Sequence, residues 1–492
     1  MGFFKKVKVF FTKLGAKLKL LFKSISNLKP VNSDDGDDDV KPISAETSYP
    51  DDNKPFDENN IKNGEVGGYI IYNKTKGAVI DEDFINNLKS LGIDIVYFNT
   101  PRDKKNIETF LSYDEFFEIF EKFKGSGIKL MIYIYETLEK TDSEGNVIHK
   151  AWNAQQIKSI SNHPAFYAWV AEDECGYSQF NQSKAWITRY HKRIWSDGSR
   201  MYPNMSICFF PFSPRLLGQG AIGDDYDAYL ELYSKSADVF LADMYPTTAY
   251  KGDKQYYNVS EEGVTVYAKT DGGENWYNYL KSQLRFTLNH PESTHRLYMH
   301  TCKHVAKEAN TNKLYVERYA PTEETIRVQS YANLMAGSNG LMLFVLCDIP
   351  KDEEYLGFTS SAFSVDLKPN DKTYNLMKSF YTSDKFKNFK SIITNLQLES
   401  IDCLHGGEVT DENVKDFVNF ISDDGEVLVS RGHNNEFDYC TVLNTSLTLP
   451  VNIMVNDNTY IMNIANNTIT KQDVNGLYEI KPTEILMIKK SR

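Results

Sequence analysis

Phe166–Glu174 reads FYAWVAEDE: an unbroken apolar run, then three acids. A strand buried on both faces of a parallel sheet needs such a run, whereas a strand with one wet face alternates. Seven more runs of this kind flank it: Gly68–Asn73 (GYIIYN), Ile93–Thr100 (IDIVYFNT), Lys129–Glu136 (KLMIYIYE), Met205–Phe212 (MSICFFPF), Ala237–Pro246 (ADVFLADMYP), Arg296–Cys302 (RLYMHTC) and Gly340–Asp348 (GLMLFVLCD). Amphipathic helical stretches such as Asp83–Leu91, Tyr113–Lys124 and Thr322–Ala336 lie between them. Strands alternating with helices over about 320 residues predict an α/β fold closed as a (β/α)8 TIM barrel. An open doubly wound sheet is the alternative, but no GxGxxG follows the first run.

Functional side chains of such a barrel sit at the C-terminal strand ends. Those ends supply Asn99, Glu136, Glu172, Asp173, Glu174, Asp243, Tyr245, His300, Cys302 and Asp348. Acids and aromatics suit acid–base chemistry on a polyhydroxylated substrate, and the glycine-rich loops that cradle phosphates are missing. Glu172, Asp173 and Glu174 form the densest cluster. Side chains alternate along a strand, so Glu172 and Glu174 are expected to share one face while Asp173 takes the other. Neighbouring carboxylates raise one another's pKa, which keeps a general acid protonated near neutral pH. Alternatively, these acids cap the next helix or pair with Lys and Arg.

The string His163–Glu174 (HPAFYAWVAEDE) resembles the HPA-hydrophobic-W-x-x-x-DE strand of glycoside hydrolases built on β/α barrels. Ala237-Asp238-Val239 through Asp243-Met244-Tyr245-Pro246 is similar to the sixth-strand motif of that group. Pro321-Thr322-Glu323-Glu324 through Arg327, Gln329 and Tyr331, then Ala336-Gly337-Ser338-Asn339-Gly340, resembles its approach to the last strand. The likeness covers roughly residues 67–350 and points to a clan A-like glycosidase barrel. It implies that Glu174, the second acid of the fourth-strand pair, is the general acid/base. Two departures stand out. Cys175 replaces the usual proline, and His300-Thr301-Cys302-Lys303-His304 occupies the seventh-strand end, where clan A enzymes carry a glutamate nucleophile.

The second carboxylate must then come from Asp243, Glu172, Asp348 or Glu136. Asp243 is preferred because Tyr245 and the rigid Pro246 fix its strand end. Asp173, Tyr245, His300, Asn99, Glu136 and Asp348 are expected to contact substrate. So is Trp276, in a 247–294 insertion rich in Tyr250, Tyr256, Tyr257, Tyr267, Tyr277 and Tyr279, which reads as a subsite wall or lid. These rings could instead pack the loop onto the barrel. His300 and His304 are four apart, but a strand end lies across them and no third ligand is evident, so neither metal nor cofactor is expected. A cysteine nucleophile beside either histidine stays open. So does simple packing of Cys175, Cys208, Cys302 and Cys347.

Apolar residues at Phe4, Val7, Phe11, Leu14, Leu18, Leu21, Ile25 and Leu28 step by three and four, a helical seam amid eight lysines and ended by Pro30. This cationic helix, 1–30, suits docking on an anionic membrane surface or an acidic protein partner; folding back onto the chain's own acidic body is the plain alternative. An Asp-rich, Pro-containing linker, 31–64, follows. The chain carries −12 overall and +8 in its first 29 residues, so the rest carries −20. That argues against nucleic acid as a partner. Apolar runs too short for a signal peptide or a membrane span favour a cytoplasmic, peripheral or particle-associated protein. Six cysteines without a CxxC pair exclude a disulfide scaffold.

The barrel is expected over 65–385. Beyond it, short β-type segments (Val414–Ile421, Glu426–Ser430, Asp438–Asn444, Leu449–Val455, Tyr460–Ile464, Glu484–Ile488) separated by Asn, Asp and Gly turns predict an antiparallel β-sandwich over 386–492. Two functions compete: a glycosidase on a poly- or oligosaccharide, and a non-catalytic glycan-binding or adhesion protein, such as a phage or viral particle component, on a degenerate barrel.

Overall fold

The computed structural model describes residues 64–100, 110–141, 144–175, 193, 197–209, 234, 237–242, 275–307, 314–318, 320–349, 358–466, 468–472 and 474–492. The N-terminal helix and, save Gly64, the linker lie outside the described residues. Residues 43–193 and 200–492 make one compact unit. The other, 1–42 with 194–199, is represented only by 197–199, where the Ser199 amide donates to Asp197 Oδ1 (2.8 Å).

Each of the eight apolar runs supplies one parallel strand, and the eight close on themselves. They are β1 (Glu65–Ile71), β2 (Ile95–Asn99), β3 (Lys129–Tyr133), β4 (Phe166–Cys175), β5 (Met205–Phe209), β6 (Val239–Ala242), β7 (Thr294–His300) and β8 (Gly340–Phe344). Closure sets Glu65 of β1 opposite Gly340 of β8. Several strands stop short of the runs that encode them: β3 yields to a 3-10 turn at Ile134–Thr137, and β8 ends at Phe344.

The helices start where side chains satisfy the first free N–H groups. Asp81 accepts from Phe84 N (2.8 Å) ahead of α1 (Glu82–Ser90). Reciprocal Ser112–Glu115 and Asn153–Gln156 boxes open α2 (Tyr113–Phe123) and α3 (Ala154–Ser161). A fourth helix, α4 (Asn275–Asn289), precedes β7, and Thr322 caps α5 (Glu323–Met335), the helix of the third motif. The other motif residues also have structural work. His163 accepts from Ala165 N through Nδ1 (3.1 Å) and donates to Glu121 through Nε2 (2.9 Å), which fixes the entry to β4. Asp238 takes Arg200 on both oxygens (2.8 and 2.7 Å) and Met205 N (2.7 Å), tying the starts of β5 and β6 together.

At the base of the barrel Arg296, fully buried, donates to Glu65 Oε2 (2.5 Å), the Glu65 carbonyl (3.3 Å) and the Tyr167 hydroxyl (2.9 and 3.2 Å). A charge taken out of water needs such an opposite charge and further hydrogen-bond partners. Gly340 makes room for it, because a Cβ there would land on the guanidinium and on the Glu65 carbonyl. Burial pushes the Tyr167 hydroxyl up to about 12, so it remains a neutral phenol.

After α6 (Asp371–Tyr381) and α7 (Asp384–Ile393) come eight strands: β9 (Gln397–Glu408), β10 (Val418–His433), β11 (Phe437–Asn444), β12 (Val451–Val455), β13 (Thr459–Asn463), β14 (Thr468–Gln472), β15 (Gly476–Ile480) and β16 (Ile485–Ser491). They pair antiparallel in the order β14-β13-β16-β11-β10-β12-β15, with β9 also on β10. Two expectations change here. Val414 sits in a short helix (Glu412–Lys415), and the segments read as 414–421 and 426–430 are largely one strand, β10. Ser422–Gly425, turn-like in sequence, lies inside β10, which holds β12 along its first half, β11 along its second and β9 along both, the β9 register skipping 422–425. Val427, Val429, Val442, Ile453, Val455 and Ile488 share one core, so the sandwich is a single, nearly closed sheet that branches at β10. Among the described residues no helix is long and apolar enough to cross a membrane.

Candidate active site

The backbone of β4 runs through Glu172, Asp173 and Glu174 to Cys175, with Glu172 opposite Ile207 and Cys175 opposite Phe209. Two register shifts interrupt this pairing, so the strict alternation used to assign faces to the three acids does not hold across them. Their side chains, and all of Asp243 and Tyr245, lie outside the described residues.

One wall of the mouth is a relay of buried polar groups. The Asn99 amide donates to the Tyr69 hydroxyl (2.6 Å), and its Oδ1 accepts from Thr100 N (2.9 Å). The Thr100 hydroxyl donates to Glu136 Oε1 (2.7 Å), and Lys140 Nζ donates to Oε2 (2.6 Å). Lys140 also lies 4.5 Å from the Phe110 ring centroid and 4.7 Å from that of Tyr135. His149 Nε2 donates to the Glu136 carbonyl (3.0 Å), and burial, then the Lys140 charge, holds its pKa below the usual histidine range. Glu136 is wholly buried and both oxygens are engaged. In this arrangement it braces the wall, and its carboxylate neutralises a buried lysine.

The adjoining wall comes from β7, β8 and the segments after them. His300, buried, closes β7; its N–H donates to Gln329 Oε1 (3.0 Å), and Gln329 Nε2 returns a bond to its carbonyl (3.4 Å). His304 stacks on Phe358 (4.4 Å between centroids), Phe358 meets Phe344 edge-on (5.2 Å), and Phe344 leans on Tyr69 (5.4 Å). The Phe344–Val345 peptide is cis. Asp348, half-buried, accepts from Ser361 N (2.9 Å); burial raises its pKa against the pull of that N–H. Cys208, Cys302 and Cys347 are buried, and burial pushes Cys347 up to about 12, which keeps it a thiol.

Residues 275–289 of the expected insertion are helical, and Trp276, Tyr277 and Tyr279 are buried. Trp276, expected in a subsite wall or lid, packs in the interior here. Trp276, Leu280 and Leu284 recur every four residues, a helical stripe that the many aromatics obscured. Tyr279 donates to the Ala242 carbonyl at the end of β6 (3.2 Å), and Tyr277 reaches Glu426 in the C-terminal sheet (2.7 Å). Sequence reasoning also missed Thr100, Lys140, His149 and Gln329; only Gln329, inside a quoted motif, carried any signal.

No family model matches the chain, and no curated protein matches it. Solved structures similar to it include a catalytic mutant of Gan42B, a GH42 β-galactosidase from G. stearothermophilus, at 8% identity and TM-score 0.46 over 87% of this chain and 98% of that one. A β-galactosidase from Bacillus circulans sp. alkalophilus is 10% identical (TM-score 0.48; 87% and 99% covered). An endo-β-1,4-mannanase from Thermotoga petrophila is 10% identical (TM-score 0.38; 86% and 98% covered). The barrel and its C-terminal sheet stand on their own strand pairing.

Proposed function

We propose that the chain is a glycoside hydrolase acting on a poly- or oligosaccharide, with Glu174 as general acid/base and Asp243 as nucleophile or base. The observation that carries this reading is the backbone of β4, which takes Glu172–Glu174 to the C-terminal edge of a closed parallel barrel, the edge at which such barrels do chemistry. β6 ends at Ala242, one residue before Asp243, and only β5 separates it from β4. Glu174 would protonate the leaving oxygen while Asp243 attacks the sugar or activates a water. A carboxylate gap of about 5–5.5 Å gives retention, and one of about 6.5–9.5 Å gives inversion. Glu172 and Asp348 are the next candidates for the second carboxylate. In this reading residues 65–385 do the chemistry and 386–492 support them.

One observation favours a second reading, glycan binding without hydrolysis: the β7 end, His300 through Lys307, contains no carboxylate. A glycan array run beside reducing-sugar release separates the two, since binding by the wild type without release selects the second. Under the first, Glu174→Gln slows natural glycans about 10²–10⁴-fold. It slows activated aryl glycosides far less, because their leaving groups need little protonation. Asp243→Asn slows both. Near wild-type turnover by Glu174→Gln on a natural glycan would refute the assignment.

A further inference from the structure

We propose that Cys403, His405 and Glu426 form a zinc site on the C-terminal sheet, independent of any reaction in the barrel. Cys403 and His405 are two apart on β9, so the pleat turns both to one face. The register sets Glu426 of β10 directly opposite His405, and cross-strand partners of this kind are within side-chain reach. One donor atom from each residue lies within 4.8 Å of the others, and this is the only such trio among the described residues.

The spacing already approaches a coordination shell. His405 Nδ1 is 3.3 Å from Glu426 Oε2. Two ligands held about 2.0–2.2 Å from one zinc at a tetrahedral angle are themselves about 3.3–3.5 Å apart. Thiolate, imidazole and carboxylate together favour zinc over magnesium or calcium, which take oxygen ligands. Three protein ligands leave a fourth position for water, and the His405 side chain, 71% exposed, leaves a path for the ion.

Glu426 is also oriented from behind. The Tyr277 hydroxyl of α4 donates to Oε1 (2.7 Å), which leaves Oε2 toward His405. Ligating carboxylates are held in this way by outer hydrogen bonds. The ion would tie β9 to β10, and the Tyr277 bond would link the site to α4 of the barrel. Zinc takes the proton off Cys403 and needs a neutral His405, so its affinity falls as pH falls.

Titration of the full chain with Co²⁺, followed by displacement with Zn²⁺, tests the site. One equivalent of Co²⁺ should give four-coordinate visible bands and a near-ultraviolet thiolate charge-transfer band. Cys403→Ser should lose the charge-transfer band, and His405→Ala should weaken binding at least tenfold. Tyr277→Phe, which removes only the outer hydrogen bond, should weaken it about 10–100-fold. Melting in EDTA reports the fold of each variant separately; His405→Ala, a change at an exposed position, decides the matter if Cys403→Ser does not fold. A wild type without the thiolate band, a band that survives Cys403→Ser, or unchanged affinity in His405→Ala overturns the proposal.

Discussion

Replacing Glu65 with Leu should leave the Arg296 guanidinium buried without its counter-charge. The Tyr167 hydroxyl and the Glu65 carbonyl would still accept from it, but neither carries a charge. Breaking a buried pair from one side costs about 3–5 kcal/mol. At about 2.1 cal/mol/K per residue, a cooperative unit of roughly 300 residues changes by ~0.6 kcal/mol per degree, so melting should fall by ~5–8 °C. Replacing the pair together, Glu65→Leu with Arg296→Met, removes the charge along with its partner. Such exchanges are often neutral or stabilising by about 1–4 kcal/mol. The double variant should therefore melt well above Glu65→Leu, and Tyr167→Phe alone should cost about 1.5–3 kcal/mol. Calorimetry of wild type, Glu65→Leu, Arg296→Met and the double variant at pH 7 closes the cycle. Additive single effects, or a Glu65→Leu protein within about 1 kcal/mol of wild type, would show that the pair does not hold the barrel base.

Other outcomes follow from the same packing. Gly340→Ala should destabilise by about 1–3 kcal/mol in chemical denaturation, and Arg296→Met should not rescue it, because the added Cβ also meets the Glu65 backbone oxygen. Burial against Phe240 and Phe286 holds the His295 pKa at about 4, below its unfolded value of about 6.5. Between these values the unfolded chain binds the proton and the folded chain does not, so stability falls as pH drops. About 2 kcal/mol should be lost from pH 7 to 5, and His295→Gln should flatten that part of the melting curve against pH. Glu136→Gln, which leaves Lys140 without a counter-charge, should lower the melting temperature while leaving glycan affinity within a factor of two. A large loss of affinity with unchanged melting would return Glu136 to the list of substrate contacts.

Burial and chain reversal are written locally, and those are what the residues alone determined here. A strand covered on both faces must be apolar at every position, so eight uninterrupted runs announced eight barrel strands. Ser112, Asn153 and Thr322 start helices for an equally local reason, since their side chains satisfy N–H groups within three residues. The candidate carboxylates were legible for the same reason, since an acid that ends an apolar run marks a strand end. Tertiary structure alone decided which groups share a space. Arg296 meets Glu65 from 231 residues away and Tyr167 from 129, and nothing around Arg296 names either partner. The aromatics of α4 looked like a sugar-binding loop until the end of β6 and the C-terminal sheet closed over them. Ser422–Gly425 resembled a turn, and β9 does skip it, pairing Ile421 with Gly407 and Glu426 with His405, yet the chain resumes the same strand beyond it because β9 holds both halves. A side chain's neighbours in the chain set its conformational preferences, but its electrostatic and packing energy comes from atoms that only closure of the barrel and sheet brings within reach.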